Sequence, residues 1–252
     1  MQRRLVAAIA CRNQGSRLYG KPLQNLDVEH GISILDNIIA CLRTIDSVDE
    51  IVLGISAGVE NEVFKSIAEE KGIRYVVGDE IDVLSRLVKC GQLAGATDIF
   101  RVTSESPFLY FDPVEDLWRQ HQEENADATF LDDVIDGCGF EIISLKALEE
   151  SHDKGDKNHR SELCTLYIRE HNQNFRIVRS NPPAELIRKD LRLTVDNPED
   201  LAVCRVVFNT LKSFAPRIPV PEIVKFLDAN PELIKLIEPF TETGYATMYN
   251  WS

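Results

Sequence analysis

The chain is short of positive charge. Its 252 residues carry 28 Lys and Arg against 41 Asp and Glu, a formal net charge of -13 with a pI near 4.9. Binding nucleic acid requires a basic face, so no nucleic-acid partner is expected. Paired cysteines are also missing: the nearest two of the six are Cys138 and Cys164, and neither a C-x-x-C nor a zinc spacing occurs. They read as reduced thiols of a cytoplasmic protein. The five histidines are equally scattered, which argues against a histidine metal site. No apolar run approaches the roughly 20 residues needed to cross a bilayer, so no membrane partner is expected either. Gln2-Arg3-Arg4 ahead of LVAAIAC has the outline of a secretion signal. Its apolar part is short and runs straight into a charged loop, so a first β-strand is the better reading. Two common phosphate-binding signatures, G-x-x-x-x-G-K-[ST] and G-x-G-x-x-G, are absent.

What remains is a chain of 44% hydrophobic content, enough to bury a substantial core in one domain spanning 1–252. Apolar residues at 32, 35, 38, 39, 42 and 45 predict a helix over 32–45. A strand follows at 51–55, a helix at 61–71 stopped by Gly72, a strand at 73–77, a helix at 83–93 and a strand at 99–103. Asp112 as N-cap and Pro113 at the first position open a further helix to 124. Strict alternation of this kind predicts a parallel sheet covered on both faces. After Ala128 the rhythm breaks. Strands are expected at 139–145 and 175–179, with a polar stretch and a helix at 160–171 between them. The segment 132–180 thus reads as a partly antiparallel excursion. A strand at 191–195 returns to the sheet, Asn197-Pro198 opens a helix to 212, and short helices follow Pro221 and Pro231, making 198–252 helical.

The loop behind the first strand, RNQGSRLYGKPL at 12–23, concentrates Arg12, Arg17 and Lys21 around Gly15 and Gly20 in an otherwise acidic protein. Glycine lets backbone N–H groups approach an oxyanion, and Arg or Lys neutralises it, so the loop is a candidate polyphosphate cradle; the alternative is an ordinary loop that is basic by chance. Ligands of open α/β sheets sit beyond the carboxyl ends of the strands. Glu105, after FRVTS, and Asp196, after LRLTV, fall at such ends and could together hold a Mg²⁺ whose other ligands are phosphate and water. Each has another explanation: Glu105 as a solvated turn residue, Asp196 as part of a capped helix start. By residue type alone, Asp82 reads as the N-cap of the helix starting at Val83, Arg86 as a surface cation one turn on, and Glu141 as an outward-facing residue of its strand.

The loop resembles the signature of the cytidylyltransferase family, roughly A-R-x-x-S-x-R-L-P-G-K-x-L. Arg12, Arg17, Leu18, Gly20, Lys21 and Leu23 match, while Gly15 stands for the usual Ser and Tyr19 for the usual Pro. This family includes the CMP-sugar-acid synthetases and the spore-coat polysaccharide F type nucleotidyltransferases, and the likeness extends from about Leu5 to about Leu236. RVTSESPFL resembles R-x-T-G-D-C-P, with Glu105 on the metal-binding Asp. LRLTVDNPEDL resembles L-R-x-T-V-D-T-P-E-D-L, with Asp196 on the second metal-binding acid. IDVLSR resembles E-D-V-L-D-R, giving Asp82 and Arg86, and GFEIISLKAL aligns Glu141 with a substrate-side Glu. SELCTLYIREH resembles R-E-H-V-T-P-Y-I-Y-E-H and keeps Glu162, Thr165, Tyr167, Glu170 and His171. Ser161 and Leu163 replace an Arg and a His, and neighbouring Arg160 is a candidate substitute.

The resemblance implies a Rossmann-like three-layer α/β/α sandwich of the nucleotide-diphospho-sugar transferase type. It implies a nucleotidyltransferase, with CTP favoured, that activates a sugar acid or sugar phosphate and releases pyrophosphate for polysaccharide or glycan biosynthesis. On this reading Arg12, Asn13, Gly15, Ser16, Arg17, Lys21, Asp82, Arg86 and Thr103 bind nucleotide. Lys21, Arg12, Glu105 and Asp196 are catalytic, Glu105 and Asp196 hold Mg²⁺, and Glu141, Arg160 and Glu162 face the acceptor. A homodimer, joined through the 132–180 excursion, is expected. The rivals are a non-catalytic nucleotide or sugar binder with a damaged metal site, since Glu105 is one methylene longer than Asp, and a nucleotide-sugar glycosyltransferase. The latter's D-x-D motif is not placed after a matching strand.

Overall fold

The structure, a computed structural model, describes residues 3–247, with side chains through Glu242. The expected helical region is therefore followed as far as Thr247; residues 1–2 and 248–252, Gln2 among them, lie outside the described residues. Its centre is a seven-stranded sheet: β1 (Leu5–Cys11), β4 (Val48–Ser56), β5 (Arg74–Gly78), β6 (Asp98–Thr103), β7 (Ala128–Leu131), β8 (Phe140–Ser144) and β9 (Ile177–Arg179). Spatially the strands run β5-β4-β1-β6-β8-β7-β9. All are parallel except β8, which pairs antiparallel with both β6 and β7. A small hairpin of β2 (Asn25–Asp27) and β3 (Ile32–Ser33) stands apart.

Helices α1 (Ile34–Leu42), α2 (Glu62–Glu70), α3 (Val83–Ala94), α4 (Val114–Glu123), α5 (Leu145–Lys154), α6 (Leu166–Glu170), α7 (Pro198–Leu211), α8 (Val220–Asp228) and α9 (Pro231–Thr247) flank the sheet. Side chains of β1 alternate between the two faces, as a strand requires. Leu5, Ala7, Ile9 and Cys11 enter one core with α1, α7 and α8; Val6 and Ala8 enter the other with α3 and α5. Burial on both faces explains why LVAAIAC is uniformly apolar rather than alternating. This is the Rossmann-like three-layer sandwich the alternation predicts.

Strand order reverses at β1. The chain steps from β1 to β4 and β5 on one side, then crosses over α3 to β6 on the other. The loops leaving the carboxyl ends of the paired strands β1 and β6 consequently diverge, and a crevice opens between them.

Several elements differ from the sequence reading. β7 and α5 were not anticipated, because ATFL is a short apolar run with no alternation, and the polar α5 has few inward residues. Residues 191–195 are buried but form no strand: toward the sheet side the described backbone contacts include a bridge from Asp136 to Arg192 and bonds from Leu193 N–H to the Asp136 carbonyl and from Val195 N–H to the Glu105 carbonyl. Those partners are isolated carbonyls of turns, not a continuous strand edge. The helix expected over 160–171 contracts to α6, since Asp156 and Ser161 hold residues 156–161 in turns. For α4, Asp112 does not cap; the helix begins after Pro113 without a side-chain cap. Nor is Asp196 the cap of α7. Asn197 is, in a reciprocal box with Asp200.

Asn197→Ala removes that cap and should destabilise the fold by about 1 kcal/mol. Urea unfolding at fixed pH checks it, with an unchanged midpoint counting against the box as a stabilising feature.

Candidate functional site

Two adjoining clefts occupy the crevice. The first, of about 210 Å³, is lined by Arg12, Gly15, Ser16, Arg17 and Lys21 from the loop after β1, by Arg86 of α3, and by Arg101, Thr103 and Glu105 of β6 and its loop, with Glu162 and Asp196 closing it. The second, of about 260 Å³, lies toward β7 and β8 and holds Asp132, Asp136, Glu141 and Leu163. Arg101, Thr103, Glu105, Glu162 and Asp196 line both, so the two form one trough with the carboxylates at the seam.

The loop's shape follows from its glycines. Gly20 adopts φ 61°, the left-handed region that favours glycine, and leads into the 3-10 turn Lys21–Leu23. At Gly15 a Cβ would lie 2.3 Å from the Leu18 carbonyl oxygen. The departure from Ser at that position is thus required by the way this loop folds back on itself.

Asp196 is the focus of the site's charge. Lys21 Nζ donates to it at 2.5 Å, Arg192 binds its other oxygen at 2.6 Å, and Arg17 stands at 3.3 Å. Burial alone would raise its pKa, but the Lys21 hydrogen bond and the surrounding cations pull it below the usual carboxylate range. Glu105 is the opposite case. Burial pushes its pKa up, the Asp196 and Glu162 charges add to this, and Lys21 only partly offsets them. Among the described residues its carboxylate accepts a bond from Ser104 at 3.2 Å. Among the described residues this partly buried carboxylate has no ion-pair partner, and together with Asp196 in the same cation-lined cleft it fits a divalent cation as a donor set. Asp27, Glu29 and His30 also cluster, but in the β2–β3 turn, where Asp27 Oδ1 accepts from the Glu29 and His30 N–H groups.

Other expected residues are deployed differently. Arg86 is buried, lines the first cleft and donates to the carbonyls of Cys11 and Gly54. Asp82 does not reach either cleft: it caps α3 through Ser85 N–H at 2.8 Å and binds His152. Asn13 lines neither cleft, and its N–H is fixed by Asn61 at 2.8 Å. Arg160 spends its guanidinium on the His152 and Gly155 carbonyls. Glu141 is buried and bound by Arg101 and Arg169, each at 2.7 Å, and by Thr165. Glu162 pairs with Arg12 at 3.2 Å.

The sequence reading did not single out Arg192, Arg101, Arg169 or Asp136. Arg192 carried a signal, a lone cation inside the apolar run LRLTV, and it is 1% exposed. It bridges Asp196 and Asp200 and donates to the Phe240 carbonyl.

The cytidylyltransferase family profile matches residues 6–219. The chain belongs to the cytidylyltransferase family. It is 24% identical over 227 residues to the spore coat polysaccharide biosynthesis protein SpsF of Bacillus subtilis, covering 89% of this chain and 94% of that one. A cytidylyltransferase from Leptospira borgpetersenii superposes with a TM-score of 0.81 at 19% identity, over 92% and 97% of the two chains. A CMP:2-keto-3-deoxy-manno-octonic acid synthetase complexed with CTP superposes at 0.61 and 13% identity, over 82% and 99%. The enzyme is accordingly a nucleotidyltransferase with this family's fold, and no described helix is long and apolar enough to cross a membrane.

Asp136 gives the site a pH signature. Burial and the Asp196 and Asp200 charges, against the opposing pull of Arg192, raise its pKa from 3.8 to about 6. Between those values the folded state binds a proton the unfolded state does not, so this group's contribution to stability falls as pH rises from about 4 to about 6. Asp136→Asn should therefore gain on the wild type across that interval, by about 3 kcal/mol at most. Melting curves at pH 4, 5, 6 and 7 in metal-free buffer read the difference, and a gap that does not widen refutes the assignment.

Proposed function

We propose that the enzyme transfers the cytidylyl group of CTP to a sugar acid or sugar phosphate, releasing pyrophosphate, in the cytoplasmic supply of activated sugars for polysaccharide or glycan synthesis. One observation carries the reading: the basic loop after β1 and the carboxylates Glu105 and Asp196 share a single trough at the reversal of strand order. The choice of CTP is supported by the family and by the CTP named for the structural relative.

Arg12, Arg17 and Lys21 hold the triphosphate, and the N–H groups around Gly15 and Ser16 and the Thr103 hydroxyl orient it. Arg86, anchored by the Cys11 and Gly54 carbonyls, lines the nucleotide cleft, and Asp82 and Asn13 act through α3 and the loop they fix. Glu105 and Asp196 hold Mg²⁺, which supplies charge stabilisation at the α-phosphate when bound. Glu141 and Glu162 wall the acceptor side. The protein supplies no covalent nucleophile. Burial pushes the Cys11 and Cys164 thiols far from ionisation, so positioning and electrostatics account for the rate. Six free, buried cysteines accord with a reducing compartment. Homodimerisation through the 132–180 excursion belongs to this reading.

CTP with Mg²⁺ should raise the melting temperature by mass action. If no nucleoside triphosphate does so at millimolar concentration, the reading fails.

Asp196→Asn tests the shared carboxylates. Asn197 caps α7, so the substitution spares the helix start while removing a negative charge. Pyrophosphate release should fall on the order of a hundredfold, with the far-ultraviolet circular dichroism unchanged. Glu105→Asp, which shortens the ligand arm, should also lower activity. Full Mg²⁺-dependent turnover in Asp196→Asn would sink the shared-carboxylate mechanism.

A further inference from the structure

The second cleft is acidic in a way that selects among acceptors. Its described lining contains six carboxylates, Glu105, Asp132, Asp136, Glu141, Glu162 and Asp196, against one guanidinium, Arg101. That guanidinium is committed to the protein: it binds Glu141 at 2.7 Å and the Glu162 carbonyl at 2.9 Å. Arg169, buried behind the cleft, grips Asp132 with two bonds of 2.8 Å and also donates to Glu141. These arginines neutralise carboxylates of the enzyme itself.

A sugar acid entering this cleft would bring a carboxylate against acidic groups, at the cost of desolvation and like-charge repulsion. The positions where the family signature carries Arg and His do not relieve this. Ser161 turns its hydroxyl to the Asn158 carbonyl at 2.6 Å, and Leu163 presents an apolar side chain to the cleft. Neighbouring Arg160 is held by the His152 and Gly155 carbonyls. Cations are concentrated instead in the first cleft, where Arg12, Arg17 and Lys21 reach the seam.

Resting on the nucleotidyl-transfer reading above, we propose that the acceptor is a phosphomonoester whose carbon body bears hydroxyl or amino groups and no carboxylate. Its phosphate sits in the first cleft against the basic loop, and its body extends into the second cleft and donates hydrogen bonds to the carboxylates there. A phosphate oxygen of the acceptor forms the new bond to the α-phosphorus of the triphosphate. The bond from that phosphorus to the α–β bridging oxygen breaks, and pyrophosphate leaves with the electron pair, so no proton need be removed from the nucleophile.

The test is pyrophosphate release with CTP and Mg²⁺ against matched probes: glucosamine 1-phosphate, glucose 1-phosphate, glucuronate 1-phosphate and N-acetylneuraminate. The first two should exceed glucuronate 1-phosphate by about tenfold or more in kcat/KM, the scale of one unfavourable charged contact, and N-acetylneuraminate should be inert. Leu163→Arg should then narrow the gap by favouring glucuronate 1-phosphate. Equal or better use of either carboxylate-bearing probe overturns the proposal, as does an unchanged ratio in a folded Leu163→Arg protein. Inert phosphomonoesters alongside clear thermal protection by CTP overturn the acceptor class and leave nucleotide binding standing, whereas loss of that protection overturns both.

Discussion

The site depends on one buried cation. Arg192 lies almost wholly out of solvent, where an isolated guanidinium is unstable, and it is tolerated because Asp196 and Asp200 share its charge and the Phe240 carbonyl accepts a further bond. Asp196 thereby gains a fixed direction from behind, while Lys21 and Arg17 approach it from the cleft. The start of α7 supports the same arrangement. Because Asn197 and Asp200 complete the helix cap, Asp196 is released from helix duty and can face the trough. A carboxylate held on one side by structure and on the other by mobile cations is suited to exchanging those cations for ligands.

The electrostatic design separates two tasks along a single trough. The whole chain is strongly acidic, yet the loop after β1 gathers three cations at the first cleft. Low-dielectric walls strengthen that local field, whereas the acidic exterior is screened by salt within about 10 Å. Beyond the seam the character inverts, because Arg101 and Arg169 are absorbed by Glu141 and Asp132. One end of the trough favours anions and the other favours donors.

Much of this was legible before any coordinates. The apolar β1, the amphipathic α1 and α3 and the glycine stops gave the parallel half of the sheet, since both local periodicities there agree with tertiary burial. The loop at 12–23 was legible because three cations stand out in an acidic chain. The 132–180 region was harder. Its α6 has only five residues, and its turns are fixed by Asp156 and Ser161, side-chain bonds that leave no periodic trace. Asp82 and Arg160 illustrate a different limit. The family resemblance marked both as site candidates, but their reach is consumed by His152, a partner seventy positions from one and eight from the other. Arg101 and Glu141 face each other only because β8 runs antiparallel to β6, a pairing no local pattern announces.

The Phe240 carbonyl that receives Arg192 belongs to α9, remote in sequence from everything that lines the trough. That bond makes α9 a thermodynamic partner of Asp196. Local opening of α9 would strip Arg192 of one of its acceptors, and the strain of a less satisfied buried charge would fall on Asp196 and Asp200. Docking of the last helix and readiness of the active site are therefore coupled equilibria: whatever tightens one tightens the other.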